Sequence, residues 1–170
     1  MPAAEVQPKK EDGNGVRLEE DFFGFSASFT SVPNYSNFWA SVQLVREHQS
    51  NIGWNPIQPS AKLSIMLMRE IRRYLGRERS NLRLCCALGS QLDLYHGIDG
   101  FFYLEPIRNF IVSFDLSENW EKKSTQKAHF LISRGDLLNP HSLSSLAQNI
   151  AKRLTLAKKR RGIVLEVRVS

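Results

Sequence analysis

Asp99 and Asp115 are the residues whose type and position most clearly suggest chemistry in this sequence. Each belongs to a short run rich in aromatic and β-branched residues, which is typical of a strand: residues 98–104 and 110–116. The segment between the runs, residues 105–109, contains a proline, which favours a turn. Residues 98–116 are therefore predicted to form a β-hairpin with one aspartate on each arm.

The register of this hairpin decides whether the two carboxylates meet. If Leu104 pairs with Phe110, Asp99 lies directly opposite Asp115 on the same face, because side chains alternate across a strand. Two carboxylates at opposed positions repel each other unless a cation lies between them. A divalent metal ion, Mg²⁺ or Mn²⁺, is the predicted occupant.

A third carboxylate is predicted on the helix before the hairpin, which is expected to begin after Ser60 as its N-cap and to end at Leu75. One face of this helix is apolar: Leu63, Met66, Leu67, Ile71 and Tyr74. Glu70 lies in the middle of that face, where a carboxylate is costly unless it is paired, protonated or bound to metal. Two interpretations stay open. In the structural one, Glu70 forms a salt bridge with a nearby arginine such as Arg46, or its helix lies at the edge of the protein. In the functional one, Glu70 reaches toward the hairpin.

Such carboxylates, with basic residues nearby, are what metal-assisted cleavage of a phosphodiester bond requires. The carboxylates hold Mg²⁺, which polarises the phosphate and lowers the pKa of a bound water, while a lysine orients that water or stabilises developing charge. Since Mg²⁺ usually takes one or two protein carboxylates, Asp99 and Asp115 would suffice, with Glu70 assisting.

A helix with an inward glutamate, a strand, and a hairpin with an aspartate on each arm together resemble the PD-(D/E)XK nuclease superfamily. The resemblance covers roughly residues 60–150 and depends on a short motif. It implies that Asp99 in GIDGFF is the first acidic ligand, that Asp115 in VSFDLS is the second, and that Glu70 is the helix-borne glutamate of some members. It also implies a restriction-endonuclease-like core whose members cut phosphodiester bonds.

One position departs from the pattern of that family. The lysine expected two residues after Asp115 is replaced by Ser117. Lys127 is our preferred replacement, because the start of the next predicted strand is better fixed than a polar loop. Lys122 and Lys123 in that loop are the alternatives. The departure leaves open a second hypothesis, a non-catalytic nucleic-acid-binding module on the same fold.

The formal net charge is +6, and the basic residues are clustered in two segments. Such clusters suit a phosphate backbone, whose counterions are released on binding, although a pair of solvated helix ends is the alternative. The residues predicted to contact nucleic acid, DNA in particular, are Arg69, Arg72, Arg73, Lys158, Lys159, Arg160 and Arg161. A homodimer is one way in which such a protein could cut both strands of a duplex.

The remaining histidine and cysteine candidates are predicted to be structural. His96 could act as a general base or a metal ligand, but a single histidine at a strand entry is more often structural. Cys85 and Cys86 are adjacent and have no other cysteine to pair with, so they are expected to be reduced core residues. Because the sequence has neither a membrane-length apolar run nor a secretory signal, a cytoplasmic protein without membrane contact is predicted.

The overall pattern predicts an α+β fold in which a mixed, mainly antiparallel sheet with a central hairpin is flanked by helices. Residues 1–20 are predicted to be a disordered tail and residues 21–170 a single α+β domain. For residues 21–32 the sequence does not decide between a strand and an aromatic-rich loop that covers the core. A helix capped by Asn34 or Ser36 is expected over residues 34–49. The other expected elements are strands at 82–88, 127–133 and 163–169, a turn at 135–139, and a helix that begins at Pro140.

Overall fold

The computed structural model describes residues 13–24, 28–29, 35–118 and 127–169, with side chains described from residue 18 to residue 158 within these ranges. In this part of the chain, helices pack on both faces of a four-stranded sheet. The predicted α+β class is therefore confirmed.

The sheet follows the order of the chain. Its strands are β1 (Leu82–Cys86), β2 (Gly100–Leu104), β3 (Val112–Leu116) and β4 (Phe130–Ile132). Strand β2 is antiparallel to β1 and to β3, whereas β4 is parallel to β3. The predicted mixed, mainly antiparallel sheet with a central hairpin is confirmed.

The hairpin has the predicted register, with Phe101 opposite Ser113 and Phe102 opposite Val112. Both strands are shorter than predicted, because β2 begins at Gly100 and β3 begins at Val112. Apart from Gly100 and Ser113, the paired residues are aromatic or β-branched, and they alternate between two buried faces. The pattern that predicted the pairing is thus the pattern that packs the sheet.

The helices of the described residues are α1 (Gly13–Phe23), α2 (Phe38–Glu47), α3 (Lys62–Leu75), α4 (Gln91–His96), α5 (Arg134–Leu138) and α6 (Pro140–Val169). Alternation along the strands divides the core between two layers of these helices. On one face of the sheet, Phe102 and Phe114 belong to a core with α1, α3 and α6. On the other face, Phe101 and Tyr103 belong to a core with α2 and α4.

Cys85 and Cys86 are both free and buried, and they lie on opposite faces of the sheet, as predicted. Burial disfavours the thiolate and raises the pKa of both thiols. Because the thiolate is the reactive form, these cysteines are chemically inert parts of the core.

Helix α1 occupies residues that the sequence placed in a tail and in the strand or loop that follows. Leu18, Phe22 and Phe23 in this helix are buried in the core, so the predicted tail overlaps an ordered element from Gly13 onward. Residues 1–12 lie outside the described part. The surrounding polar composition concealed this helix, since a short helix is stabilised mainly by tertiary packing.

The ends of the other helices differ in detail from the predictions. Asn37, and not Ser36, caps α2 by accepting from the N–H of Ala40 at 2.8 Å, whereas the alternative Asn34 lies outside the described residues. Helix α3 ends at Leu75 as predicted, but Ser60 is not its N-cap. Helix α4 was not predicted, although Ser90 caps its start and Gly97 ends it in the left-handed conformation.

Two predictions in the C-terminal third are wrong. The turn expected at 135–139 is the short helix α5, held by a capping box between Ser133 and Asp136. The edge strand expected at 163–169 is the continuation of α6. Extending an existing helix adds one hydrogen bond per residue, whereas the β preference of these residues depends on a neighbouring strand.

The outer edge of β1 is closed by the segment that follows α2. The side chain of Gln49 donates to the carbonyl of Cys86 at 2.8 Å and accepts from its N–H at 2.7 Å. Trp54 Nε1 donates to the Leu84 carbonyl at 2.8 Å, and the Leu84 N–H donates to the carbonyl of Pro56 at 3.0 Å. These bonds replace a neighbouring strand and protect the edge from pairing with another chain.

Gln49→Ala is expected to lower the free energy of unfolding by about 2 kcal/mol or more, because it removes both hydrogen bonds that the Gln49 amide makes to the backbone of buried Cys86. Urea unfolding measures the change. Gln43→Ala, on the exposed face of the preceding helix, is the matched control and should change stability by less than about 0.5 kcal/mol. Equal effects of the two substitutions would contradict a structural role for the Gln49 amide.

Candidate acidic site

Asp99 and Asp115 lie on the same face of the hairpin. The pairing of Gly100 with Phe114, extended by one residue, places the two aspartates opposite each other. Phe101, two residues along from Asp99, belongs to the core under α2 and α4. Both carboxylates therefore belong to that layer, since residues two apart share a face.

Asp99 connects three strands. Its own N–H donates to the carbonyl of Phe114 at 3.0 Å, and its carbonyl accepts from the N–H of Ala87 at 2.8 Å. Its carboxylate Oδ2 accepts from the N–H of Leu116 at 2.7 Å, and the residue is 0% exposed. Asp99 comes one residue before β2 begins, and its side chain supplies an acceptor to the end of β3. These backbone hydrogen bonds fix the position of the carboxylate.

Gly100 explains why the chain can pack so closely at this point. A Cβ atom at Gly100 would lie 2.5 Å from the ring of Phe114 and 2.8 Å from the ring of Phe23. The two rings pack almost parallel, with centroids 6.1 Å apart. Glycine therefore allows α1 to pack directly on the hairpin beside Asp99, on the opposite face of the sheet from the carboxylates.

Asp115 belongs to a strip of buried polar residues on an otherwise apolar face. This polar strip consists of Asp99, Ser113, Asp115 and Ser117, which are all at most 8% exposed. Ser117, at the position of the expected lysine, donates its N–H to the carbonyl of Ile132 at 3.0 Å. The polar strip runs along one face of β3 beside Asp99, and its carboxylate oxygens are hard ligands of the kind that Mg²⁺ prefers.

His129 is a neighbour of the polar strip that the sequence did not identify. The N–H of Ser113 donates to His129 Nδ1 at 3.0 Å, and the N–H of His129 donates to Ser113 Oγ at 3.2 Å. Because Nδ1 accepts a backbone N–H, Nε2 carries the proton of the neutral ring. Partial burial and the nearby charge of Arg153 lower the pKa of His129, which favours that neutral form.

Glu70 does not join the two aspartates. It lies on α3, in the helical layer on the other side of the sheet, and pairs with Arg73 at 3.2 Å. The salt bridge is thus the interpretation observed, but its partner is Arg73 and not Arg46. The guanidinium of Arg46 lies over the ring of Tyr103, 4.0 Å from its centroid. Within the described residues, no three histidine, cysteine, aspartate or glutamate side chains are grouped to hold a metal ion.

Lys127 does not lie beside Asp115. Asp115 is paired with Leu131 in β4, and because β3 and β4 run parallel, residues before β4 lie alongside the start of β3. The contact between His129 and Ser113 follows this direction, so exposed Lys127 is displaced still further from Asp115. The alternatives Lys122 and Lys123 lie outside the described residues.

His96 has the structural role that is more common for a single histidine. Its Nε2 donates to the carbonyl of Ser36 at 3.0 Å, which joins the end of α4 to the segment before α2. The ring packs against Tyr35 and Phe38, each with a centroid separation of 5.8 Å.

The predicted nucleic-acid contacts lie away from the acidic pair. Arg69, Arg72 and Arg73 are on α3 and Lys158 is on α6, so they belong to the helical layer on the other side of the sheet. Arg73 pairs with Glu70, and Lys158 pairs with Glu78. The backbone of residues 159–161 continues α6, but their side chains lie outside the described part.

Comparison of the chain with protein-family models, curated proteins and solved structures finds no significant match. The likeness to the PD-(D/E)XK nucleases therefore rests on the motif residues alone. Among the helices described, none has both the length and the apolar character needed to cross a bilayer.

Proposed function

We propose that the chain is a metal-dependent nuclease-like protein that hydrolyses phosphodiester bonds in DNA on a restriction-endonuclease-like core. The observation that carries the proposal is the placement of Asp99 and Asp115 opposite each other on one face of the hairpin. Divalent metal chemistry uses such a pair, because carboxylate oxygens on neighbouring strands can hold one ion between them.

The donor set fits Mg²⁺ or Mn²⁺. One oxygen of Asp99 is held by the N–H of Leu116, and the carboxylate of Asp115 lies opposite on the same face of the hairpin. When bound, the metal ion would polarise the phosphate and lower the pKa of a water. The backbone contact of Asp99 orients its carboxylate, and the apolar core under α2 and α4 limits access of bulk water.

The proposal depends on the two aspartates and does not require Glu70 or Lys127. The ion pair with Arg73 accounts for the presence of Glu70 on α3 without a metal ion. The register between β3 and β4 places Lys127 away from Asp115. Basic residues on α3 and α6 would bind the phosphate backbone. The setting proposed is cytoplasmic, and a homodimer would allow both strands of a duplex to be cut.

A second candidate function is a non-catalytic nucleic-acid-binding module. The observation in its favour is that Asp99 is 0% exposed, while the described side chains predicted to contact nucleic acid lie on α3 and α6 in the other helical layer. In that case the carboxylates stabilise the hairpin, and the basic helices alone contact nucleic acid. This candidate predicts salt-dependent DNA binding without cleavage.

Addition of Mn²⁺ is expected to raise the melting temperature of the wild-type protein by several degrees. A ligand that binds only the folded state stabilises it by about 2.7 kcal/mol at a hundredfold excess over Kd. Asp115→Asn should abolish the shift, and Glu47→Gln, on the exposed side of α2, should retain it. A wild-type protein that does not respond to Mn²⁺, or an Asp115→Asn variant that still does, would reject the metal site.

Glu70→Gln separates the two interpretations of that residue in the same assay. We expect the variant to keep the Mn²⁺ shift, because Glu70 pairs with Arg73 in the other helical layer. Loss of the shift would make Glu70 a ligand.

A further inference from the structure

An open pocket lies at the outer edge of β1, between α3 and the segment that precedes it. Its volume is about 330 Å³, and its walls are Gln58, Pro59, Ile65, Arg69 and Arg72. Its position is set by the segment that covers β1, since the carbonyl of Pro56 accepts the N–H of Leu84 at 3.0 Å. The pocket therefore belongs to the fixed edge of the sheet.

The guanidinium of Arg72 is held in place at this pocket. It donates to the carbonyl of Ile57 at 2.7 Å, which uses only part of its five-donor capacity. Partial burial and, secondly, the nearby charge of Arg83 lower the pKa of Arg72.

The arginines of the pocket, Arg69 and Arg72, form no ion pair with a carboxylate of the described residues. Among the described side chains, the ion pairs are Arg73 with Glu70, Arg134 with Asp21, and Lys158 with Glu78. Neither Arg69 nor Arg72 takes part in them. Two arginines that line an open cavity without a counter-charge are suited to an anion from solution.

We propose that this pocket is a phosphate-binding site in which Arg69 and Arg72 hold the phosphate oxygens and Gln58 contributes its amide. The planar donor fork of arginine matches phosphate in a bidentate manner, and the volume is ample for one phosphate group. Pro59 and Ile65 supply an apolar wall that limits competition by water.

This pocket is separate from the acidic site. It lies beyond the edge of β1, whereas Asp115 is on β3, two strand spacings away, or roughly 10 Å between backbones. The phosphate held here is therefore a different group from one that Asp99 and Asp115 would attack. The inference rests on the proposed function only in naming the phosphodiester backbone of DNA as one source. A free phosphorylated small molecule is the other source.

Titration with inorganic phosphate, at constant ionic strength against a chloride blank, tests the pocket. Signals of the arginine Nε–H groups in NMR spectra should report the binding, and Arg69→Gln is expected to weaken it about tenfold or more. Arg77→Gln is the matched control, because it removes the same charge from an exposed position just beyond the same helix and outside the pocket, and should change the Kd less than about twofold. Equal weakening by both variants, or a wild-type protein whose arginine signals do not respond, would overturn the proposal.

A parallel titration with a DNA duplex distinguishes the two sources of phosphate. If the phosphodiester backbone occupies the pocket, Arg69→Gln weakens the binding of DNA and of phosphate alike. If the ligand is a small molecule, the variant weakens only the binding of phosphate. Asp115→Asn should leave the phosphate titration unchanged, so failure of the metal site does not alter this result. A loss of phosphate binding in Asp115→Asn would overturn the separation of the two sites.

Discussion

Asp99→Asn and Asp115→Asn are each expected to reduce Mg²⁺-dependent cleavage of DNA by at least about a hundredfold. A metal ion that polarises the phosphate and activates water contributes several kcal/mol to transition-state stabilisation, and each 1.36 kcal/mol corresponds to about a factor of ten in rate. Asparagine keeps the size of the side chain and an acceptor for the N–H of Leu116, but it removes the charge that holds the ion. The loss should therefore be chemical, with the hairpin still folded.

Cleavage of a plasmid and of a linear duplex, with and without a chelator, measures this effect. DNA affinity at a fixed salt concentration should change less than about threefold, because the described side chains proposed to bind the phosphate backbone lie on α3 and α6 in the other helical layer. Glu47→Gln is the control for loss of a carboxylate outside the site. Cleavage that survives both aspartate substitutions would remove the basis for the nuclease proposal, whereas salt-dependent binding by a wild-type protein that does not cleave would select the binding module.

Phe114→Ala is expected to lower the free energy of unfolding by about 3–5 kcal/mol. Phe114 is fully buried, and its ring centroid lies 5.4 Å from that of Phe22 and 5.3 Å from that of Phe102. Truncation would leave a cavity between α1 and the sheet that neighbouring aromatic rings cannot fill. Since domains of ordinary stability unfold with only about 5–15 kcal/mol, this substitution removes a large share.

Urea unfolding followed by circular dichroism checks the size of the effect. Phe114→Leu, which keeps most of the volume, should cost about 1.5 kcal/mol or less. Phe110→Ala is a second control, since Phe110 is only partly buried beside the same core and should cost less than Phe114→Ala. A loss at Phe114 that does not exceed the loss at Phe110 would show that the packing around Gly100 does not hold the hairpin.

These two predictions are connected through one short piece of backbone. The carbonyl of Phe114 accepts the N–H of Asp99, and the next residue along the strand is Asp115. The buried ring therefore anchors, from one face of the sheet, the strand that presents a carboxylate on the other face. A partial loss of packing at Phe114 is expected to displace both aspartates as well as to reduce stability.

The sequence by itself determined the hairpin, its register and the common face of Asp99 and Asp115. The physical reason is local: two runs of β-forming residues alternate with period two, and the short proline-containing turn between them leaves few possible pairings. The end of α3 at Leu75, followed by Gly76, was likewise readable, because a glycine after an amphipathic run is a local signal.

Only the tertiary structure decided which side of the sheet each helix covers. The sequence placed Glu70 on an apolar helix face, but the helix packs on the face opposite the aspartates, and the charge pairs with Arg73. The parallel pairing of β3 with β4 brought His129 to Ser113 and displaced Lys127. Such placements depend on contacts between residues far apart in the chain, and local periodicity contains no information about them. For the same reason α1, whose buried Leu18 and Phe22 are stabilised by α3 and the sheet, was hidden in a polar stretch.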